Sequence, residues 1–239
     1  MSSIVERLAN LTITSRVAPV RSISTIRSNL ECIEPVCMGH QTQRTGAAHE
    51  QAVKGVWEEA GIESVSKERF KYNFLTNCDI GFRNLKELDF RESYPINDNE
   101  FDLEIDQTYF VHQPRGENAY PDFILFKISN EQIKMIYVEC KQRRPRFNNT
   151  PPKNNDYCLY ICGNNLYIGS ELMNDTNEEA IREYYRILDE LRTNFNNNED
   201  LEYNITTLKA IECSRFPPSF FNKETNDQKI VNCLSHVIN

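Results

Sequence analysis

Two carboxylates and a lysine interrupt the apolar stretch of the chain between Tyr120 and Gln142. Asp122 begins one strand-like segment, and Glu139 and Lys141 end the next one. Carboxylates are poor strand formers and costly to bury, so their position among apolar residues requires a partner that offsets the loss of hydration. A divalent cation is the natural partner for this pattern.

The two segments predict an antiparallel hairpin whose turn lies within the polar tetrapeptide 129–132. In this register Asp122 is opposite Glu139, and the apolar residues of one strand meet apolar residues of the other. Because side chains alternate along a strand, Lys141 shares the face of Glu139, whereas Cys140 points to the other face. Directly opposed positions place the Cβ atoms of the two acids about 5 Å apart, and two bare charges at that distance repel by roughly 3 kcal/mol at an effective dielectric of about 20.

This repulsion favours either protonation of one carboxylate or a cation between the two. Mg²⁺ fits best among the hard cations, because it accepts one or two carboxylates and keeps water and phosphate oxygens in its remaining positions. The residues themselves therefore predict a magnesium site on one face of a β-hairpin.

The same residues resemble a known nuclease motif. Pro121-Asp122, followed after sixteen residues by Glu139-Cys140-Lys141, is similar to the PD-(D/E)xK nuclease superfamily and particularly to the type II restriction endonucleases. The resemblance implies an α/β fold with a restriction-endonuclease-like core, in which helices flank a mixed central β-sheet. The order of the predicted elements agrees with such a fold.

A helical stretch upstream, which residues 46–50 are predicted to open, supplies a third carboxylate. Apolar residues recur at helical spacing from Val53 to Ala60, and Gly61 supplies a stop signal. Glu50 lies about one turn before Val53, at the edge of this stripe, from which it can point along the sheet toward Asp122. Many members of the family carry a glutamate on their first core helix that reaches the metal site, and the resemblance gives this role to Glu50. A solvated glutamate in an early helical turn is the alternative.

The resemblance further implies metal-assisted hydrolysis of a phosphodiester bond, with one or two Mg²⁺ ions in each active site. The implied metal ligands are the carboxylates of Asp122, Glu139 and Glu50 and the backbone carbonyl of Cys140. Lys141 would orient the attacking water or stabilise the developing negative charge. Type II restriction enzymes of this kind are usually homodimers in which each subunit cuts one strand of double-stranded DNA, so we expect both that substrate and that assembly.

The charges of the chain are unevenly distributed. A net charge of -8 argues against general affinity for nucleic acid, since phosphate affinity comes from lysine and arginine. Directly after the proposed catalytic strand, however, Arg143, Arg144 and Arg146 follow Lys141 and form a basic run. We expect these arginines to contact the DNA backbone. A solvated basic loop is the alternative.

Length and composition predict one large globular domain, because 239 residues with 39% hydrophobic content suffice for a substantial core. We expect a single catalytic nuclease domain over residues 46–239. Residues 1–45 are expected to be irregular, either an arm that orders on DNA or a flexible end. No apolar run could span a bilayer and the N-terminus lacks a hydrophobic signal segment, so we expect no membrane partner and a cytoplasmic protein, or a nuclear one in a eukaryote.

Zinc is the main competing chemistry. Cys32, Cys37 and His40 lie close together, but they lack a clear second pair of ligands. His49 precedes Glu50 without the second histidine of a zinc-protease motif, so we expect it to face solvent or to cap its helix. The eight cysteines of the chain lack the density of a disulfide scaffold, and we expect them to be reduced and mostly buried.

Further elements are predicted from periodicity and turn signals. Strands are expected over residues 108–112, 157–162, 165–168 and 206–213, with a turn at Gly163-Asn164. A helix is expected over residues 178–191, where apolar side chains form one stripe.

Three functions remain open on the sequence. The first is a Mg²⁺-dependent endonuclease that cuts double-stranded DNA at a specific sequence, as a type II restriction enzyme does. The second is another nuclease of the same fold that acts in repair, on junctions or on RNA. The third is a nucleic-acid-binding protein that keeps the fold without turnover, which the joint presence of Asp122, Glu139 and Lys141 argues against.

Overall fold

A computed structural model of the chain describes most of the N-terminal two thirds and the C-terminal helix. The described residues are 20–33, 42–78, 80–81, 83–97, 101–117, 119–142, 153–173, 179–180, 183, 186–187, 190, 221–223 and 225–238. Seven strands form one mixed β-sheet with helices packed on its faces. The predicted α/β architecture with a mixed central sheet is therefore confirmed.

The bounds of the elements follow. The helices are α1 (Ile23–Glu31), α2 (Thr42–Glu59), α3 (Lys67–Asn77), α4 (Gly169–Leu172) and α5 (Asp227–Ile238), with a short 3-10 helix at Leu85–Glu87. The strands are β1 (Glu63–Ser64), β2 (Ser93–Pro95), β3 (Thr108–His112), β4 (Phe123–Ile128), β5 (Gln132–Lys141), β6 (Cys158–Cys162) and β7 (Asn165–Ile168). The order across the sheet is β1-β3-β4-β5-β6-β7, and β2 pairs with the first residues of β5.

The hairpin of β4 and β5 has the predicted register. Phe123 pairs with Val138, and Lys127 pairs with Lys134 toward the tip. Beyond the hairpin β5 pairs in parallel with β6, in a ladder that continues to Lys141. The last residues of β5 are thus paired with β6 on one side and extend past the start of β4 on the other.

Side-chain alternation divides the hairpin between two apolar cores. On one face, residues of both strands pack with α3, namely Ile124, Phe126, Met135 and Tyr137. On the other face, residues of both strands pack with α1, α2 and α5, namely Phe123, Leu125, Ile136 and Val138. Burying one large apolar side chain contributes about 1.5–3 kcal/mol. A one-residue slip would send every side chain to the wrong face, so the register is strongly specified.

Helix α2 begins earlier than predicted but ends where predicted. It spans Thr42–Glu59, and its Trp57 side chain is fully buried. The following Gly61 has a φ of 83°, and the N–H of Ile62 donates to the Trp57 carbonyl at 3.0 Å. This arrangement caps the last turn, and the left-handed backbone that it requires is one that glycine adopts without strain.

The expectation of an irregular segment over residues 1–45 is wrong for residues 23–31, which form α1, and for residues 42–45, with which α2 begins. The side chains of Ile26 and Leu30 are fully buried in the core that also contains α2 and α5. This stretch packs against the sheet because its apolar residues Ile23, Ile26 and Leu30 recur at helical spacing and lie on one face. Residues 1–19 lie outside the described residues.

The predicted strands over residues 108–112, 157–162 and 165–168 are present as β3, β6 and β7, except that β6 begins one residue later. Gly163, with a φ of 63°, forms the predicted turn between β6 and β7. The strand predicted over residues 206–213 and most of the helix predicted over residues 178–191 lie outside the described residues. Among the described helices, none combines the length and the apolar character needed to cross a bilayer.

Candidate active site

Asp122 lies one position beyond the Phe123–Val138 pair, so its place in the register is opposite Glu139. The N–H of Cys140 points past the start of β4 and donates to Asp122 Oδ2 at 2.7 Å. The Asp122 carboxylate is therefore held beside the last residues of β5. The opposition of the two acids, predicted from the sequence, is present in the fold.

Glu139 is a buried carboxylate, with only 8% of the residue exposed. Its Oε1 accepts a hydrogen bond from the Lys141 ammonium. Its Oε2 is buried and has no hydrogen-bond partner among the described residues. Leaving a charged oxygen unsatisfied in the interior is costly, so this atom favours a cation beside it.

The electrostatics of the pair agree with such a cation. Burial raises the pKa of Asp122, and the Glu139 carboxylate raises it further. Burial likewise raises the pKa of Glu139, although Lys141 opposes this shift. Both shifts favour the neutral acids. The pair therefore tends to retain a proton, which a divalent cation would displace.

Lys141 acts as a cation in this site. Burial lowers the pKa of its ammonium, but the charge of Glu139 and the hydrogen bond to it more than offset this effect, and the pKa is raised overall. Lys141 therefore donates hydrogen bonds and supplies positive charge, and it does not serve as a base near neutral pH.

Glu50 joins the site from α2. Its Oε2 accepts hydrogen bonds from His112 Nε2 at 3.1 Å and from Gln113 Nε2 at 3.2 Å. The bond from His112, helped by the one from Gln113, lowers the pKa of Glu50 despite its partial burial. The charge of Glu50 raises the pKa of both Asp122 and Glu139. The fold thus brings all three predicted carboxylates within electrostatic reach of one another.

His112 and Gln113 are site residues that the sequence analysis missed. His112 ends β3 and stacks on Phe123, with ring centroids 4.7 Å apart. A signal was present, because the predicted strand over residues 108–112 ends shortly before the hairpin. Antiparallel pairing of that strand with β4 brings its last residue to the start of β4.

The carboxylates of the site fit Mg²⁺. Among the described residues, no three His, Cys, Asp or Glu side chains converge as a ready-made metal cage. Mg²⁺ needs only one or two protein carboxylates, and Asp122 and Glu139 supply them. The N–H and carbonyl of one strand residue point toward the same neighbouring strand, so the Cys140 carbonyl also faces the side of Asp122.

His49 does not face solvent or cap its helix, and that prediction is wrong. Its side chain is fully buried, and its Nε2–H donates to the carbonyl of Ile161 in β6 at 3.4 Å. Burial lowers the pKa of the imidazole, so the neutral form is favoured. The residue anchors α2 to the sheet directly beside Glu50.

Several predicted residues lie outside the described part of the chain. They are Arg143, Arg144 and Arg146 of the basic run, and Cys37 and His40 of the weak zinc motif. Of the six described cysteines, all are free thiols and all but Cys32 are buried, which agrees with the expectation of reduced, buried residues.

Comparison of the chain with protein-family models, curated proteins and solved structures finds no match. The functional interpretation therefore depends on the site. Its central features are the opposed acids Asp122 and Glu139, the ammonium of Lys141 and the unsatisfied Glu139 oxygen.

Proposed function

We propose that this protein is a Mg²⁺-dependent endonuclease that hydrolyses phosphodiester bonds of double-stranded DNA at a specific sequence. The observation that carries the proposal is the buried Asp122–Glu139 pair, which has an unsatisfied oxygen and the Lys141 ammonium on the same carboxylate. The resemblance of residues 121–122 and 139–141 to the PD-(D/E)xK motif, and a sheet flanked by helices, support it. The preference for a duplex and for one sequence comes from the resemblance to type II restriction enzymes.

Asp122 and Glu139 would hold the metal, with Glu50 and the Cys140 carbonyl as further ligands. When bound, one or two Mg²⁺ ions lower the pKa of a coordinated water and neutralise charge on the phosphate. Their binding requires ionised carboxylates, and the Cys140 N–H and the Lys141 ammonium stabilise that form of Asp122 and Glu139 respectively.

The protein groups around the scissile phosphate have separate roles. Lys141 orients the attacking water or stabilises the negative charge that develops on the phosphate. Glu50 stays ionised and contributes negative charge that favours a cation at the pair. The apolar strands around the site lower the local dielectric and strengthen each of these interactions.

The substrate and the assembly are part of the proposal. The phosphates of DNA would meet Arg143, Arg144 and Arg146, which lie within five residues after Lys141 in the sequence. Such contacts supply affinity that falls steeply with salt. A homodimer would provide one active site for each strand of the duplex.

A binding protein without turnover is a poorer explanation. Phosphate is anionic, and three carboxylates that interact electrostatically repel it unless a cation lies between them. A module selected for binding alone gains nothing from burying such a group. DNA and RNA both present phosphodiesters to such a site, and the preference for duplex DNA comes from the resemblance to type II restriction enzymes.

Incubating the purified protein with duplex DNA, single-stranded DNA and RNA of one sequence, each in Mg²⁺ or in EDTA, tests the proposal. Discrete duplex fragments that form only with Mg²⁺ are expected. Cleavage confined to single strands, junctions or RNA would replace the restriction-type function with another nuclease of this fold. No cleavage of any substrate with Mg²⁺ or Mn²⁺ would contradict nuclease activity altogether.

A further inference from the structure

Gln113 contacts two of the three site acids at once. Its backbone N–H donates to the Asp122 carbonyl at 2.6 Å, and its side-chain Nε2 donates to Glu50 Oε2 at 3.2 Å. It lies one position beyond the His112–Phe123 pair of β3 and β4. Asp122 is therefore flanked in the register by Gln113 on one side and by Glu139 on the other.

The backbone of Gln113 is in an unfavourable conformation. Its φ is 46°, in the left-handed region that residues other than glycine adopt uncommonly. Conformations of this kind persist where the surrounding structure enforces them, and they concentrate at functional sites. A glycine would relieve the backbone, but it could not supply the amide that bonds to Glu50.

Both hydrogen bonds to Glu50 fall on the same oxygen. Among the described residues, His112 and Gln113 each donate to Oε2. The second oxygen, Oε1, is thereby the one left to face a cation. Partners that hold the far side of a metal-ligating carboxylate typically change metal affinity by 10–100-fold when they are removed.

We propose that Gln113 is a positioning residue for the metal-binding carboxylates. Its amide fixes the orientation of Glu50 so that Oε1 faces a divalent cation, and its backbone N–H fixes Asp122 opposite Glu139. The amide donates at every pH, so this role does not depend on a titration. The inference rests on the proposed metal-dependent function and adds to it a residue outside the PD-(D/E)xK motif.

Calorimetric titration of Mn²⁺ into the full chain without DNA tests this role, using Gln113→Ala and Gln113→Gly. Both variants lack the amide, but only glycine also relieves the backbone. We expect both to bind Mn²⁺ at least about 10-fold more weakly than wild type, and Gln113→Gly to melt at a higher temperature than Gln113→Ala. If the alanine variant does not fold, the glycine variant carries the test alone.

Gln107 provides a matched control at the other end of β3. Its Nε2 donates to Glu63 Oε2 at 3.1 Å in an exposed pair away from the three acids. Gln107→Ala should bind Mn²⁺ as wild type does. Wild-type affinity in both Gln113 variants would overturn the positioning role and leave the nuclease proposal intact, whereas wild-type protein that binds no Mn²⁺ would overturn both.

Discussion

The backbone N–H of Cys140 donates a 2.7 Å hydrogen bond to the Asp122 carboxylate at the open end of the hairpin. This bond holds Asp122 opposite Glu139 although two buried carboxylates repel each other. The sheet thus fixes, before any ligand binds, a pair of acids whose repulsion a divalent cation would relieve. Such preorganisation is what a metal-dependent hydrolase requires of its scaffold.

Asp122→Asn should stabilise the cation-free protein. The substitution removes one of two repelling acids and keeps an oxygen that can accept the Cys140 N–H. The pKa of Asp122 is raised, so keeping an acid there near neutral pH costs free energy. Each pKa unit corresponds to about 1.4 kcal/mol, and we expect the free energy of unfolding to rise by about 1 kcal/mol or more. Urea unfolding of wild type and Asp122→Asn in EDTA measures this difference in the free energy of unfolding.

Asp102→Asn is the opposite-sign control for this measurement. In the wild-type protein, hydrogen bonds from Asn73 and Arg69 lower the pKa of Asp102. Replacing this carboxylate by a neutral amide should therefore lower the free energy of unfolding slightly. Destabilisation by Asp122→Asn as well would contradict the assignment of a repelling pair at the site.

Stability in EDTA should depend on pH through the same pair. The raised pKa values of Asp122 and Glu139 mean that the folded state binds more protons than the unfolded chain above the ordinary carboxyl pKa of about 4. Their contribution to stability is present below that value and is lost as pH rises through the raised values. The pKa of Glu50 is lowered instead. Its contribution to stability is therefore present near neutral pH and is lost as pH falls through the lowered value.

Unfolding midpoints of wild type and Asp122→Asn across this pH range isolate the effect. The advantage of Asp122→Asn should grow as pH rises in EDTA and shrink or reverse with Mg²⁺, since the cation replaces the proton in wild type. A difference between the two proteins that is independent of pH would be incompatible with the raised pKa values.

Glu50→Gln should raise the Mg²⁺ concentration needed for cleavage, because it removes an ionised group that favours a cation. We expect at least about a 10-fold increase in the half-maximal Mg²⁺ concentration. Glu63→Gln is the matched control, since Glu63 also accepts a glutamine hydrogen bond but lies in an exposed pair. Cleavage assays over a series of Mg²⁺ concentrations compare the two variants. Equal half-maximal Mg²⁺ concentrations in Glu50→Gln and Glu63→Gln would remove Glu50 from the site.

Lys141→Met should separate metal binding from turnover. Loss of the ammonium removes a donor that stabilises developing charge, and we expect cleavage to fall by about 100-fold or more. Mn²⁺ affinity should change much less than turnover, because the substitution frees Glu139 Oε1 but also removes a charge that keeps Glu139 ionised. Lys134→Met, in β5 near the hairpin tip, should leave both unchanged. Near-wild-type turnover in Lys141→Met would exclude a catalytic lysine.

Two glycines test the packing of the scaffold. A Cβ at Gly169 would lie 2.1 Å from the Lys153 carbonyl oxygen, so Gly169→Ala should destabilise the fold by about 2 kcal/mol or more. A Cβ at Gly55 in α2 meets nothing within 4 Å, and Gly55→Ala should stabilise it by about 0.5–1 kcal/mol. Thermal melts of the two variants and the wild-type protein measure these changes. Equal melting temperatures of Gly169→Ala and Gly55→Ala would contradict the close approach at Gly169.

The hairpin and its acids were predictable because alternation fixes both register and face. Once apolar residues were matched across the turn, Asp122 had to lie opposite Glu139, and the paired strands have that register. Glu50 was predictable as a helical residue near the end of an apolar stripe. The hydrogen bonds from His112 and Gln113 to Glu50 were not, because the predicted strand over residues 108–112 was never assigned a register against β4.

Other features depend on tertiary packing that periodicity does not fix. Helix α1 is short, and its stripe of Ile23, Ile26 and Leu30 lies among polar residues, so its formation depends on packing against the core. The burial of His49 depends on how α2 is rotated against β6, which its own sequence does not specify. Gln113 was hidden because its left-handed backbone occupies a position where glycine would have been the usual signal.

Cleavage of a supercoiled plasmid by wild type, Asp122→Asn and Glu139→Gln, each in Mg²⁺ or EDTA, tests the central claim most directly. Circular dichroism first establishes that all three proteins are folded. The site predicts discrete fragments from wild type only with Mg²⁺, and intact plasmid with either variant. No cleavage by wild type, or wild-type rates in either variant, would contradict a metal-dependent active site at the Asp122–Glu139 pair.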